Sequence, residues 1–206
     1  MIKLIFYIFL LMSYVVIGKN DGNLRVITKN IDLKSLQGTF YEIAINTTDK
    51  IFLGLACRCT KYEFSGLKRD GNQAYILMNF TCDRNFLIKE EKSNVNFKLI
   101  LNKPLDENTT TVEEFDASLF LVENNQQILL SNHISIIYAE FNDQNEIEHF
   151  ILGGNKSSEP MIIMSKYRTI LQETYKRLIN SLYLSGYESA LLNWPFIIQT
   201  DQTLCE

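Results

Sequence analysis

The chain has 206 residues, 46% of them hydrophobic, with 20 basic and 24 acidic side chains, which is enough for one well-buried core and short for two domains. Its charges are scattered, in clusters no longer than Lys89-Glu90-Glu91-Lys92, and leave no electrostatic footprint for a nucleic-acid partner. The use of 24 Ile and 19 Asn against 6 Ala departs from average composition and points to an AT-rich genome of the kind many protists have.

Met1 to Gly18 holds a lone Lys3 and then an almost unbroken apolar run from Leu4 to Ile17, and reads as a secretory signal peptide with Gly18 at the cleavage point. A membrane anchor is the competing reading, but about 14 apolar residues fall short of the roughly 20 that span a bilayer. Removing the leader takes away Lys3 and no acid, so the formal charge moves from -4 to 19 minus 24, or -5. From Phe40 to Lys166 the chain reads as successive β segments without helical periodicity. Gly38 to Ile45 is one strand, Cys57 to Gly66 another, and Arg69-Asp70-Gly71-Asn72 is a hairpin turn leading into Gln73 to Cys82. Phe86 to Lys89, Val95 to Asn102, Thr110 to Glu123, Gln127 to Phe141, Ile147 to Gly153 and Met161 to Lys166 follow as strands or hairpin arms. That many consecutive antiparallel strands favour a closed up-and-down barrel, because closure removes exposed edges; a β-sandwich is the rival. Ile170, Leu171, Tyr175, Leu178, Ile179 and Leu182 then recur at spacings of three and four, predicting one amphipathic helix stopped by Gly186, and an extended tail runs from Trp194 to Cys205.

Gly38-Thr39-Phe40-Tyr41-Glu42-Ile43-Ala44 resembles the G-T-W-Y-E-I-A opening of the lipocalins of the apolipoprotein-D and bacterial-lipocalin type, with Phe40 where they carry tryptophan. Ile162-Ile163-Met164-Ser165-Lys166 is similar to the family's I-L-S-R, with Lys166 in place of the arginine, and Thr200-Asp201-Gln202-Thr203-Leu204-Cys205 resembles its C-terminal T-D-Q and cysteine. The middle T-D-Y signature is poor; Asn142-Asp143 is its best candidate. The resemblance covers nearly all of residues 19–206 and implies an all-β fold: an eight-stranded antiparallel up-and-down barrel with one C-terminal helix packed outside. It also implies that Lys166 stacks on Phe40 as a structural pair at the closed end, where phenylalanine and lysine make a weaker contact than tryptophan and arginine.

Four cysteines in a secreted chain point to two disulfides, with three possible connectivities. The resemblance pairs Cys57, five residues before Tyr62, with Cys205, leaving Cys59 with Cys82. A two-residue turn at Asp70-Gly71 would set Cys59 opposite Cys82, since residues summing to 141 then face each other. With Cys57 and Cys59 outward, alternation turns Arg58, Thr60, Tyr62 and Phe64 inward, together with Thr81, Asn79, Leu77 and Tyr75 on the facing strand, and the first strand, Gly38 to Ile45, contributes Phe40, Glu42 and Ala44. Phe40 reads as core filling, and Glu42, Arg58, Tyr62, Phe64, Tyr75 and Leu77 are the candidate ligand-binding residues.

A barrel of eight strands encloses one small ligand, and an aromatic lining with a few polar groups suits an apolar molecule with a polar end. The family implies a secreted carrier of a small hydrophobic ligand such as a lipid, a fatty acid or haem. Among protist members the resemblance points to the parasitophorous-vacuole lipocalins of apicomplexans, which implies haem handling and haemozoin formation, with His133 and His149 as candidate axial ligands. A cavity-cysteine enzyme would need a free inward thiol, and no catalytic residue is expected. A protein-interaction role would use loops such as Asn102 to Thr111 and Asn142 to Glu148 as a rim. Cys57-Arg58-Cys59 lacks C-x-x-C spacing and neither histidine has a ligand-spaced neighbour, so no metal and no cofactor is expected. Contact with a lipid surface and homo-oligomerisation stay open. Asn46, Asn79, Asn108 and Asn155 begin N-x-S/T sequons, and Asn79 would face inward in this register.

Overall fold

The computed structural model describes residues 26–46, 57–86, 89–124, 126–154, 161–187, 197–200, 202 and 205. The expected leader, 1–18, lies outside the described residues, as do the first residues of the expected tail, 194–196.

Segments rich in β-branched and aromatic residues build eight wall strands. They are β2 (Gly38–Asn46), β3 (Cys57–Phe64), β5 (Gln73–Phe86), β6 (Lys89–Leu101), β8 (Asp116–Glu123), β9 (Gln126–Phe141), β10 (Ile147–Gly154) and β11 (Met161–Ser165). Each pairs antiparallel with the next, and β11 returns to β2, with Ile162 opposite Ile45, so the sheet closes into a barrel and the sandwich alternative falls. Short pairings decorate it: β1 (Ile31–Asp32) with β7 (Thr111–Val112), β4 (Lys68–Asp70) with the start of β5, and β12 (Ile197–Gln199) with β2. Phe86 and Lys89, the bounds of a segment expected as a strand or hairpin arm, are the last cross-strand pair of one long hairpin, and residues 87–88 lie outside the described residues. There β5 and β6 pair continuously from Tyr75 opposite Ile100 to Phe86 opposite Lys89.

One end of the barrel is shut. A 3-10 turn at Leu33–Leu36, started by Asp32 accepting the Lys34 N–H at 3.1 Å, drives buried Leu33 and Leu36 under the wall just before β2 begins. Gly38 follows at φ +117°, a conformation L side chains rarely adopt, while a Cβ built there would meet nothing within 4 Å. The glycine of the opening motif therefore serves backbone geometry. The loop 102–111 lies at this shut end as well. The Arg69 guanidinium donates to the carbonyls of Leu105, Asp106 and Thr109 at 2.8 to 2.9 Å, and Leu33 N–H reaches Thr110 O. Residues 142–146 also turn at this end, with Asn142 Oδ1 accepting from Gln144 and Glu146 N–H. Both loops expected as a binding rim thus belong to the base.

The helix α1 (Gln172–Ser185) packs outside the wall. Leu178 and Leu182 are fully buried against Ile43, Ile137, Ile151 and Ile163, each such side chain contributing about 1.5–3 kcal/mol on burial. Small Thr174, Ser181 and Ser185 share the buried face, the two serines donating back to Leu178 O and Leu182 O, so the helix lies close to the sheet. Leu171, expected on that face, is instead the exposed residue before the first turn. Gly186 ends the helix at φ +105°, as a left-handed cap.

Two local features set the register differently from expectation. Asp70 pairs with Gln73, so the turn residues are Gly71-Asn72 and not Asp70-Gly71. On β3, Arg58 faces Asp83 and Lys61 faces Thr81, leaving Cys59 and Thr60 together opposite Cys82 in a bulge, with Cys59 at φ +53°. The bulge exchanges the faces of the residues before it. Cys57 comes onto the inner face with Cys82, and Cys59 turns toward the tail. The disulfides are accordingly Cys57–Cys82 and Cys59–Cys205, the reverse of the expected partners, and all four cysteines are bonded.

Candidate binding site inside the barrel

The inner face is layered. At the shut end Phe40, Phe64 and Phe150 meet edge to face at centroid distances of 4.9 to 5.9 Å and form an aromatic floor. Lys166 Nζ stands 5.8 Å from the Phe40 ring centroid and 3.5 Å from Glu146 Oε2, which caps the floor from below. Phe64, expected in the ligand set, belongs to this floor. Above it Phe40 pairs across the ladder with Tyr62, whose ring lies 5.3 Å from Phe80. The Tyr62 hydroxyl donates to Glu42 Oε2 at 3.0 Å, and both side chains are buried.

Glu42 sits where the wall splits. Strands β2 and β3 pair only over Gly38–Tyr41 and Lys61–Phe64. Beyond that point the C-terminal tail takes the place of β3: β12 pairs with Ala44, Ile45 and Asn46, and Thr200 N–H donates to Ile43 O at 2.9 Å. The Gln202 amide then bridges the gap, donating to Glu42 O at 2.9 Å and Thr60 O at 2.8 Å, and the Thr200 hydroxyl donates to the Glu42 carboxylate. The Cys59–Cys205 disulfide fastens this plug. Thr200 and Gln202 of the tail motif are thereby part of the barrel wall, a role that its sequence resemblance flagged without explaining.

Toward the other end, Thr60, Cys57 and Cys82 follow Tyr62 and Phe80 on the inner face. Thr60 is fully buried, and its Oγ1 has no hydrogen-bond partner. A buried hydroxyl left so normally signals a group that completes it, such as a ligand or water. A carboxylate, a phenol and this threonine hydroxyl therefore share an otherwise apolar interior that includes Ile45, Ile162 and Met164.

The structure brings Glu42, Tyr62 and Phe64 to the inner face and leaves three expected residues outside it. Arg58 is one residue from inward Cys57 and faces out, because the bulge reverses the alternation. Tyr75 and Leu77 face out, because Phe64 opposes Met78 and Tyr62 opposes Phe80; Ala74, Ile76, Met78 and Phe80 fill the interior in their place. Lys98 Nζ covers the Tyr75 ring at 4.1 Å, and Leu77, Lys98, Phe120 and Leu129 form one row across four strands of the outer surface. Asn79 also faces out, bonding Asn94 and Asn96 at 2.9 Å, so its sequon is no longer at odds with the fold. Ala44 packs outward with Ile43, since the ladder to β11 shifts by one between Ala44 and Glu42.

Neither histidine faces the interior. His133 is exposed and lies 3.2 Å from Asp116 Oδ1. His149 is buried on the outer face, its Nδ1 3.0 Å from Ser165 Oγ, and burial holds its pKa below the usual histidine value, partly opposed by Glu140 and Glu148. Nearby, Glu140 accepts two hydrogen bonds from Arg177 of α1, at 3.0 and 3.2 Å, and raises the pKa of Arg177. Among the described residues no three His, Cys, Asp or Glu side chains converge as a metal site, and no helix is long and apolar enough to cross a membrane.

No protein-family model matches the sequence, and no curated protein matches it. Solved structures do. The chain is similar to apocrustacyanin C2, with a TM-score of 0.51 at 16% identity over 82% of this chain and 78% of that one. It is similar to apocrustacyanin C1, at 0.51 and 15% over 89% and 92%. The amine binding protein of Rhodnius prolixus, solved as a tryptamine complex, matches at 0.50 and 12% over 89% and 87%. At such identities the likeness is one of architecture, and the closed barrel, its shut base and its outer helix give this chain the lipocalin fold.

Proposed function

We propose that the protein is a secreted carrier that holds one small, mainly apolar ligand inside the barrel, above the Phe40, Phe64 and Phe150 floor. The observation that carries this reading is the group of Glu42, Tyr62 and the unpartnered Thr60 hydroxyl on an apolar inner face. A site built this way fixes a ligand's polar end by hydrogen bonds while the apolar wall supplies affinity. Two disulfides fit an oxidising compartment, and with every cysteine bonded the free inward thiol required by a cavity-cysteine enzyme has no candidate.

A carboxylate at the polar end of the site favours ligands that donate hydrogen bonds, such as long-chain alcohols or amines, over acids pointing the same way. The narrower reading, haem handling in a protist vacuole, would have to proceed without His133 or His149 as a ligand inside the barrel, since both lie outside it. The half-exposed Ile128, Leu129 and Leu130 of β9 are the surface feature that supports contact with lipid or with a second copy.

The test is a fluorescence titration of the oxidised protein with N-phenyl-1-naphthylamine, an uncharged apolar dye, followed by displacement with dodecanol, dodecylamine, dodecanoate and haemin. Saturable one-to-one binding, with the alcohol or amine displacing the dye more effectively than dodecanoate, is the expected result. Non-saturable binding, or dodecanoate as the best competitor, would overturn the proposed site.

A further inference from the structure

Outside the barrel, the start of α1 and the C-terminal tail enclose a second cleft of about 390 Å³. The lower end of the usual range for small-molecule sites is about 300 Å³. One wall comes from Arg168, Ile170, Gln172 and Tyr175, the other from the tail, with Ile43 beneath. We propose that this cleft is a binding site for a small monocarboxylic acid with a flat apolar body, distinct from the barrel interior.

Among the described residues of the lining Arg168 is the only charged side chain, the other polar groups being amides and hydroxyls. Its guanidinium lies 5.3 Å from the Tyr41 ring centroid, and Nη1 donates to Cys205 O, so the fork is held from two sides. Among the described residues no acidic side chain pairs with it. A half-buried guanidinium that is held in place with no acidic partner among the described residues is pre-organised for the two oxygens of a carboxylate, because the ordering cost is met before the ligand arrives. Ile43, Ile170 and the Tyr175 ring supply the apolar surface for the body of the ligand, and the Gln172 and Gln199 amides supply its remaining hydrogen bonds.

The test uses the oxidised full chain and a matched pair of probes, indole-3-acetate and uncharged indole-3-acetamide, followed by calorimetry and by NMR shifts. Indole-3-acetate should bind saturably at one site and about tenfold more tightly than the amide, as one charge-assisted pair at a partly exposed site allows. The shifts should centre on Ile43, Ile170 and Tyr175. Arg168→Gln should abolish the preference for the acid. Should that variant fail to fold because its bond to the tail is lost, Thr169→Trp fills the cleft and leaves Arg168 in place. It should remove indole-3-acetate binding while N-phenyl-1-naphthylamine still titrates into the barrel. Equal affinity for acid and amide, shifts centred on Tyr62 and Phe80, or no binding by the folded protein would each overturn the inference, while the dye titration judges the interior site separately.

Discussion

Replacing Cys59 and Cys205 together by serine separates the observed disulfide pairing from the one that the sequence suggested. In the structure this double variant removes only the tail staple and leaves Cys57–Cys82 intact. The staple spans a sequence separation of 146 and the remaining bridge one of 25. On the chain-entropy model these closures constrain the unfolded state by about 5 and about 3.5 kcal/mol respectively. Loss of the staple also frees the tail to leave the gap between β2 and β3, where Gln202 satisfies two backbone carbonyls. Urea unfolding of the variant should therefore show a loss of at least 2 kcal/mol and up to about 5. Thiol titration of the unfolded, unreduced variant should find none. Two free thiols would mean that Cys57 had been paired with Cys205, and would refute both the bulge at Cys59–Thr60 and the inward placement of Cys57.

Gly38→Ala should cost about 1–3 kcal/mol by thermal or urea melting, entirely through the backbone, since a methyl there meets no neighbour. Phe40→Ala, which opens the aromatic floor, should cost about 3–5 kcal/mol, and an unchanged melting midpoint would show that the floor is not packed as described. His149 is held neutral in the fold at pH values where the unfolded chain would protonate it, so the unfolded state binds more protons and stability falls as the pH drops through its ordinary value of 6.5. His149→Gln should flatten that part of the stability profile between about pH 7.5 and 5.5, and an unaltered slope would remove His149 as its source.

The outline of the fold was legible because the barrel is written in strong, local signals. Strand runs, turn residues and the three-and-four spacing of Leu178 and Leu182 located every wall strand and the helix, and the opening and closing motifs implied closure and the Phe40–Lys166 contact. Register was harder. A single bulge or a turn displaced by one residue reverses every side chain beyond it. The turn at Gly71-Asn72 and the bulge at Cys59–Thr60 each did so, which is why Tyr75, Leu77 and Arg58 were placed inside and the cysteine partners were exchanged. One signal argued for the observed face: Ala74, Ile76, Met78 and Phe80 are uniformly apolar, whereas the alternate set includes Asn79 and Thr81. The tail's entry between β2 and β3 had no local signal at all, since Thr200 and Gln202 meet Glu42 across 158 and 160 residues of chain.

The claim that the barrel interior is the binding site is tested most directly by NMR of the oxidised protein saturated with N-phenyl-1-naphthylamine, reading magnetisation transfer from dye protons to assigned side chains. Contacts to the rings of Tyr62 and Phe80 and to the Thr60 methyl are the predicted result. Contacts confined to the outer surface, at Phe120 and Leu129, would contradict it.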